Sequence, residues 1–357
     1  MVTLHVMDAD FTLKREIAGY KSLRIKREWR GPGEFELHTS SRHADVLTRD
    51  SIIIPPGSPN KAMIIEAIKI TDGEMTVSGT MANGILKRRI CVPGIGSDAT
   101  YGYDRIIAST ETVLKHYVAV NCVDTESASR TISCMAMEPD AHRGIESMPW
   151  SARFDNLSNV CDDICVYADC GYLIRPDFAQ KKLVFCYSPG RDLVNGAQRV
   201  TFSAAFGNVS SAAYTEDAKS SQSAIYIGGA GEDERRAIIS VGDADGLDRR
   251  EMWAEAGSIS DPEELAYEAA HRLAAKPIAR TIDADVIAIG AARYERDWDL
   301  GDLVTVEAAG QMMQTRITQV QEIHESGRPV TLSVTFGDPP AGIVSMIREA
   351  TKKEAIR

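Results

Sequence analysis

Apolar and polar residues alternate with a period of two through much of the first hundred residues, and this pattern predicts β-strands. Two such segments, 23–30 and 34–38, flank the glycine-proline-glycine sequence at 31–33. A phosphate-binding P-loop needs a lysine and a serine or threonine directly behind its glycines, and this segment has neither. The segment therefore predicts a β-hairpin and not a phosphate site.

The length of the hairpin loop decides which residues face each other. A three-residue loop at 31–33, with glycine in the left-handed conformation, is a common closure. It places Arg30 opposite Glu34 on the charged face. It also places Trp29 opposite Phe35 on the apolar face, and both kinds of pair stabilise antiparallel strands. A two-residue loop would mix the two faces, so the three-residue register is predicted.

One order of elements occurs twice along the chain. It consists of a short strand, a long strand, a turn that contains glycine, and a further strand. The strands of the first copy lie at 52–54, 64–70 and 75–79, and those of the second at 303–306, 317–323 and 330–336. The recurrence predicts two similar β-modules, one near each end of the chain.

The region between these modules is mixed. Ser109 or Thr110 caps a predicted helix that runs to about residue 120, and a second helix is predicted over 154–167. After a strand pair at 173–185 and further strands at 199–245, Asp261 and the proline behind it start a helix that ends near residue 275. The predicted fold class is α+β and predominantly β, with two β-barrel-like modules that flank a mixed α/β middle region.

These patterns divide the chain into five parts. The predicted parts are a first β-module (1–97), a mixed α/β middle domain (98–197), a strand-rich segment with a packing helix (198–277), a second β-module (278–340), and a charged C-terminal helix or tail (341–357).

The charge balance narrows the class of partner. The 357 residues contain 40 Lys+Arg and 51 Asp+Glu, so the formal net charge is −11. Such a chain repels nucleic acid unless it carries a local basic stripe, so no sequence-specific nucleic-acid binding is expected.

The longest apolar runs, such as 51–54, are too short to span a bilayer, so no stable membrane insertion is expected. The N-terminus has no secretory-signal pattern, which predicts synthesis in the cytoplasm.

The seven cysteines raise the question of a metal site. Cys161, Cys165 and Cys170 lie close together in sequence, but their spacing fits no C-x2-C zinc pattern and no histidine lies nearby. An odd number of cysteines without a secretory signal indicates reduced thiols. We therefore expect buried structural thiols and no metal.

No other pattern indicates a cofactor or a catalytic centre. The glycine-rich segment 228–231 follows a strand, but three acidic residues at 232–234 would repel a phosphate, and a strand pattern resumes at 237. The seven histidines are scattered without paired spacing. We expect a loop between strands at 228–231, no cofactor, no catalytic residues, and a protein that is not an enzyme.

A series of segments carries a family resemblance. In order they are RGPGEFEL, MIIEAIKI, VSGTMANGILKRRI, RVTFSAAFGNVSSAAY, YIGGAGEDERRA, LGDLVTVE and VTLSVTFGD. The series resembles the siphophage tail-hub family, the ReqiPepy-type tail proteins, over nearly the whole chain. These proteins are similar to the baseplate hub protein of T-even phages and to the N-terminal module of tail-associated lysins.

The resemblance implies a structural virion protein at the tail tip, made in the bacterial host. It implies a homotrimer that caps the tail tube, takes part in host attachment and DNA passage, and contacts the tube or distal tail protein as well as spike or fibre proteins. Two β-modules per subunit would adapt a three-fold tip to a six-fold tube. A receptor- or glycan-binding module and a cell-wall-degrading enzyme are the alternatives.

On this hypothesis the charged face of the hairpin is a candidate contact with a neighbouring subunit or the tube. Its candidate residues are Lys26, Arg30, Glu34 and His38, with Arg30 paired to Glu34 and Lys26 to His38. A passage for DNA should not bind phosphates, so the residues that face it are expected to be net acidic.

Overall fold

The computed structural model describes residues 2–94, 102–195, 197–287 and 292–338. The chain begins with seven strands that pair antiparallel in one continuous path. They are β1 (Leu4–Met7), β2 (Leu13–Ile17), β3 (Ser22–Glu28), β4 (Glu34–Ser40), β5 (Ile52–Ile54), β6 (Met63–Thr71) and β7 (Glu74–Met81). Their inward side chains form one apolar core, which includes Leu23, Phe35 and Val77. After β7 the chain leaves the sheet as a 3-10 helix, Ala82–Arg88, whose first five residues are buried.

The middle of the chain combines short strands with two helices. Its elements are β8 (Asp104–Ala108), α1 (Thr110–Val118), β9 (Met135–Met137), β10 (Met148–Ala152), α2 (Leu157–Tyr167), β11 (Gly171–Asp177) and β12 (Lys182–Ser188). Ser109 caps α1 as predicted, because its side chain accepts a hydrogen bond from the Thr112 amide. The second helix begins later than predicted because Asn156 caps it.

The next segment begins with two strands, β13 (Thr201–Ser203) and β14 (Val209–Asp217). A small unit is inserted in the chain between β14 and the last four strands. The unit itself consists of β15 (Ala224–Gly228), β16 (Ile238–Val241), β17 (Glu251–Glu255) and α3 (Pro262–Ala274). Asp261 caps α3 as predicted, and Leu265 and Ala269 are buried against β15 and β16. The glycine-rich segment 228–231 is a loop between strands, as predicted.

The last four strands are β18 (Ala279–Val286), β19 (Leu303–Ala308), β20 (Gln311–Glu325) and β21 (Thr331–Phe336). Together with the N-terminal strands and with β13 and β14, they form a 13-stranded sheet. Its main path runs β14-β18-β21-β20-β3-β4-β7-β6-β5-β1-β2. The prediction of a predominantly β protein with few helices is confirmed. The predicted C-terminal helix lies outside the described residues.

Two stretches of this sheet share one strand order. The order β3-β4-β7-β6-β5 in the first half matches β14-β18-β21-β20-β19 in the second, and every neighbouring pair in both is antiparallel. Both long strands also carry a β-bulge at the matching position. In β6 the bulge falls at Glu66 between Ile65 and Ala67, and in β20 it falls at Thr318 between Ile317 and Gln319.

The sheet does not close into a barrel in the described residues. Its main path ends at β2 on one side and β14 on the other, so the barrel-like closure that the sequence predicted for each module is absent there. The two halves are instead joined edge to edge, because β3 pairs with β20 from Ser22–Glu325 to Glu28–Gln319.

The predicted hairpin register is wrong. In the structure Lys26 lies opposite Glu34, Ile25 opposite Phe35, and His38 opposite Ser22. The chain from 27 to 33 therefore forms the connection, and neither Arg30–Glu34 nor Trp29–Phe35 nor Lys26–His38 is a pair. The physical reason is the seam with β20. β3 continues along β20 after it has left β4, and the Trp29 amide still donates to the Thr318 carbonyl at 2.9 Å.

Candidate subunit interface and the junction behind it

Three of the four predicted contact residues lie on one solvent-facing side of the sheet. Lys26 pairs with Glu28 at 2.8 Å, and Glu34 lies 3.8 Å from Arg24. His38 Nε2 is 2.9 Å from a Glu36 carboxylate oxygen. The strand alternation places these side chains opposite the buried Leu23, Ile25 and Phe35. Their role as a subunit or tube contact stays a prediction.

Arg30 lies elsewhere. Its side chain is 10% exposed, and its Nη2 and Nη1 atoms donate to Asp169 at 2.7 Å and Asp338 at 2.8 Å. Its Nε atom donates to the Cys170 carbonyl at 3.1 Å. Arg30 therefore joins the hairpin to the middle region and to the end of β21. Since these partners already occupy the guanidinium, Arg30 does not share the outer face of Lys26 and Glu34.

Trp29 is the centre of this junction. It is 2% exposed, with the Arg30 guanidinium 4.5 Å and the Arg316 guanidinium 5.2 Å from its ring centroid. Two glycines allow the ring to approach the backbone, because a Cβ at Gly171 would lie 2.2 Å, and one at Gly301 2.3 Å, from Trp29 Nε1. One indole thus contacts the N-terminal half, the middle region and the C-terminal half.

A buried ionic network crosses the seam beside this junction. Lys61, the last residue of a short 3-10 helix before β6, lies 2.7 Å from Glu322 and 3.0 Å from Glu295. The Tyr294 hydroxyl donates to Glu322 at 3.2 Å, and His324 Nε2 lies 3.1 Å from the same carboxylate. Burial alone would raise the pKa of Glu322. The hydrogen bond with His324 and the charge of Lys61 outweigh it and hold that pKa at about 2.

Arg27 extends the network along β3. Its side chain is buried, and it donates to Asp299 at 2.7 Å and to the Tyr294 hydroxyl at 2.8 Å. Sequence reasoning missed both Arg27 and Glu322. The available signal was that each occupies an inward position of an alternating strand, where an apolar residue is expected. A charged residue at such a position requires a buried partner.

The outer face of the sheet is acidic. This face consists of the side chains that point away from the cores on β14, β18, β21, β3, β4 and β7, and on the parts of β20 and β6 that follow their bulges. The carboxylates are Glu28, Glu34, Glu36, Glu74, Asp217, Asp283, Asp285 and Glu325, and the cations are Arg24, Lys26 and Lys69. Eight carboxylates against three cations leave this face negative.

The described residues provide no group of three metal-ligating side chains. Cys161, Cys165 and Cys170 are buried as predicted, and burial raises the pKa of the first two thiols. Buried thiols with raised pKa values are poor nucleophiles and poor ligands, which agrees with a structural role. In the same ranges no helix has both the length and the apolar character needed to cross a membrane.

Comparison with known proteins identifies the family. A family model described as "Siphovirus ReqiPepy6 Gp37-like protein" matches residues 3–338, so the chain belongs to this family of siphovirus tail proteins. The resemblance seen in the sequence is thereby confirmed. The family is one of structural proteins of the phage tail, so the protein is associated with the virion. No curated protein matches the sequence.

Solved structures show the same fold. The chain is similar to the prophage tail protein gp18 of Listeria monocytogenes EGD-e, with a TM-score of 0.58, 12% identity and coverage of 98% of both chains. It is also similar to the 43 kDa tail protein of prophage MuSo2 of Shewanella oneidensis, with a TM-score of 0.57, 11% identity and coverage of 94% and 98%. A tail protein of Neisseria meningitidis MC58 has a TM-score of 0.55, 12% identity and coverage of 94% and 96%.

Proposed function

We propose that this tail protein is the hub of the tail tip, a homotrimer that caps the tail tube and contributes two similar β-modules per subunit. The observation that carries the proposal is the repeated five-strand order with its matching bulges. Three subunits with two such modules present six near-equivalent units, which suits a six-fold tube on one side and a three-fold spike or fibre on the other.

The assembly state tests this proposal. The purified protein, alone and together with the tail proteins encoded beside it, is weighed by native mass spectrometry and viewed by electron microscopy. We expect three copies per particle and a ring with six similar lobes. A particle with another number of copies, or a trimer whose lobes do not form one ring, would contradict the hub function.

The acidic outer face of the sheet is proposed to line the passage for DNA. Such a polar face suits either the wall of the passage or a contact with a neighbouring protein. Its excess of carboxylates favours the wall of the passage, because a negative wall repels the phosphates of DNA and does not retain them. On this proposal Lys26, Glu34 and His38 are part of the wall, and host attachment belongs to other surfaces of the tip. The role requires no catalysis.

Charge reversal on this face is expected to create DNA binding. The variant Glu34→Lys/Glu36→Lys changes two exposed residues, so the fold and the trimer should persist. The wild-type assembly should leave double-stranded DNA unretarded in a mobility assay at low salt, whereas the variant should retard it, with retardation that disappears as salt is added. The double reversal Glu232→Lys/Glu234→Lys changes two exposed residues outside this sheet and adds the same positive charge, so it is the control for overall charge. Retardation by the wild-type ring would show that the wall is not acidic.

A binding module is the second candidate, and one observation favours it. On the outer face of the inserted unit, Tyr226 lies beside Trp253 in register, and both rings are more than one-third exposed. Adjacent exposed aromatic rings with carboxylates nearby suit the stacking of sugar rings. Binding of host cell-wall glycan that is lost in Trp253→Ala would support this role for the inserted unit, and equal binding by both proteins would exclude it.

A further inference from the structure

The seam inside the chain has a defined construction. The long strand β20 uses a single edge for two partners in succession. Its first half, up to Arg316, pairs with β19, and its second half, from Gln319 onward, pairs with β3. The bulge at Thr318 separates the two halves. A strand from the N-terminal half therefore completes an edge that the C-terminal half leaves open.

Among the described strands, the matching edge of β6 is open. β5 pairs only with Met63 and Ile64 at the start of β6, and in the described residues no strand continues this edge behind the bulge. Ile68 and Ile70 lie opposite the buried Val77 and Met75, and so belong to the core face, yet they are 41% and 53% exposed. Apolar residues on the core face of an unpaired edge indicate a missing neighbour.

The strand that corresponds to β3 also has a free edge within the described ranges. β14 occupies the position of β3 in the repeated order, since each pairs with the second strand of its set, β18 or β4. β14 has no partner on its other side in the described part of the chain, and most of its nine residues are exposed. The described part of the chain thus leaves open the two edges that would form a second seam of the same kind.

We propose that β14 of one subunit pairs antiparallel with β6 of the next, so that the β3–β20 seam is repeated between subunits. The inference rests on the proposed ring of similar modules and names the surface that closes it. In a trimer, three seams inside chains and three between chains alternate around the ring. Closure removes both exposed edges, which otherwise invite uncontrolled strand pairing.

The repeat also fixes the register. The two halves can be aligned on their bulges and on the residue pairs of their matching strands. In this alignment β14 corresponds to β3, and Tyr214 takes the place of Ile25. Likewise β6 corresponds to β20, and Ile70 takes the place of Glu322. Since Ile25 lies opposite Glu322 in the internal seam, Tyr214 lies opposite Ile70 of the partner subunit. On the outer face Thr215 then lies opposite Lys69 of the partner subunit.

The side chains fit this register. The Tyr214 ring would cover Ile70 of the partner subunit, which is exposed in the isolated chain. Asp217 would lie diagonally across from Lys69 of the partner subunit, on the same face, at a separation that long side chains bridge. Glu216 would lie opposite Ile68 of the partner subunit. The internal seam has the same kind of pair at the matching place, because the charged Arg27 lies opposite the apolar Val320.

Cysteine cross-linking tests the register. Thr215→Cys and Lys69→Cys are placed in one chain, and the assembled protein, alone or with the neighbouring tail proteins, is oxidised mildly. We expect covalent dimers and trimers on a non-reducing gel. The control pair Thr215→Cys/Thr71→Cys is displaced by two residues, a separation of about 7–8 Å that disfavours a disulfide. Each single variant controls for the native thiols.

The outcomes separate the seam from the hub function. Trimers that cross-link at 215/69 but not at 215/71 support the seam, whereas trimers that do not cross-link at 215/69 overturn it and leave the hub function intact. A protein that stays monomeric under every condition overturns both.

A second variant measures the contribution of the edge. Ile70→Glu changes an exposed side chain, so the monomer should fold, but pairing would bury a carboxylate diagonally across from Glu216 of the partner subunit. We expect the apparent dissociation constant of the trimer to rise about tenfold or more. Ile107→Glu, which changes an even more exposed isoleucine on β8, should leave assembly unchanged. An unchanged dissociation constant for Ile70→Glu would contradict the proposed seam.

Discussion

Trp29→Ala is expected to lower the free energy of unfolding by about 3–5 kcal/mol, the range for removal of a fully buried tryptophan. Its ring fills the space where the N-terminal half, the middle region and the C-terminal half meet, and the surrounding backbone is too close-packed to collapse into the cavity. Two arginines that stack on the ring, Arg30 and Arg316, would lose that contact as well. Urea unfolding followed by far-UV circular dichroism measures the change.

The matched control is Trp253→Ala. This tryptophan is 47% exposed on the small sheet of the inserted unit, so its loss should cost about 1 kcal/mol or less. Gly171→Ala should also destabilise the protein, because the new methyl group collides with the indole. In a double-mutant cycle with Trp29→Ala the two costs should be less than additive. Equal effects of the two tryptophan substitutions would show that Trp29 does not hold the junction.

Lys61→Met is expected to destabilise the protein by about 3–5 kcal/mol, because it leaves the buried Glu322 carboxylate without its cation. The double variant Lys61→Met/Glu322→Leu should regain part of this loss, since an apolar pair needs no charge compensation. Arg15→Met is the matched control. Its ion pair with Asp45 is similarly short, at 2.8 Å, but is exposed, so its loss should cost less than about 1 kcal/mol.

The same carboxylate predicts an acid dependence. The pKa of Glu322 in the folded protein is about 2, below its ordinary value of 4.5. A group with a depressed folded-state pKa stabilises the fold fully above its unfolded pKa, and this contribution disappears as the pH falls through the folded value. Stability should therefore decrease from about pH 4.5 toward pH 2, and the decrease should be smaller in Lys61→Met/Glu322→Leu. Equal acid sensitivity of both proteins would assign the effect to other carboxylates.

The candidate contact shows the limits of sequence reasoning on particular residues. Lys26, Glu34 and His38 share the polar face because strand alternation is a local property. Arg30 does not lie on this face. Strand β3 stays paired with β20 beyond its last pair with β4, so the connection between β3 and β4 is longer than predicted and includes Arg30. The pattern on the two hairpin strands contains no information about a third strand almost 300 residues away.

The sequence by itself determined what depends on near neighbours. It predicted the strands from their period of two, the start of α1 from Ser109, the start of α3 from Asp261 and its proline, and the repeated order of strands. It also identified the family. Each of these signals lies within a few residues or in the order of segments, where hydrogen-bonding geometry and side-chain alternation act directly.

The tertiary structure alone decided which edges meet and which charges are buried together. The β3–β20 seam, the glycines that receive Trp29, and the partners of Lys61 join residues that are far apart in sequence. Many pairings satisfy the same alternating pattern, and the energy that selects one of them comes from the packing of the whole sheet against its cores. For the same reason the edges of β6 and β14 that are open among the described residues become visible only when the strand pairing of the whole sheet is known.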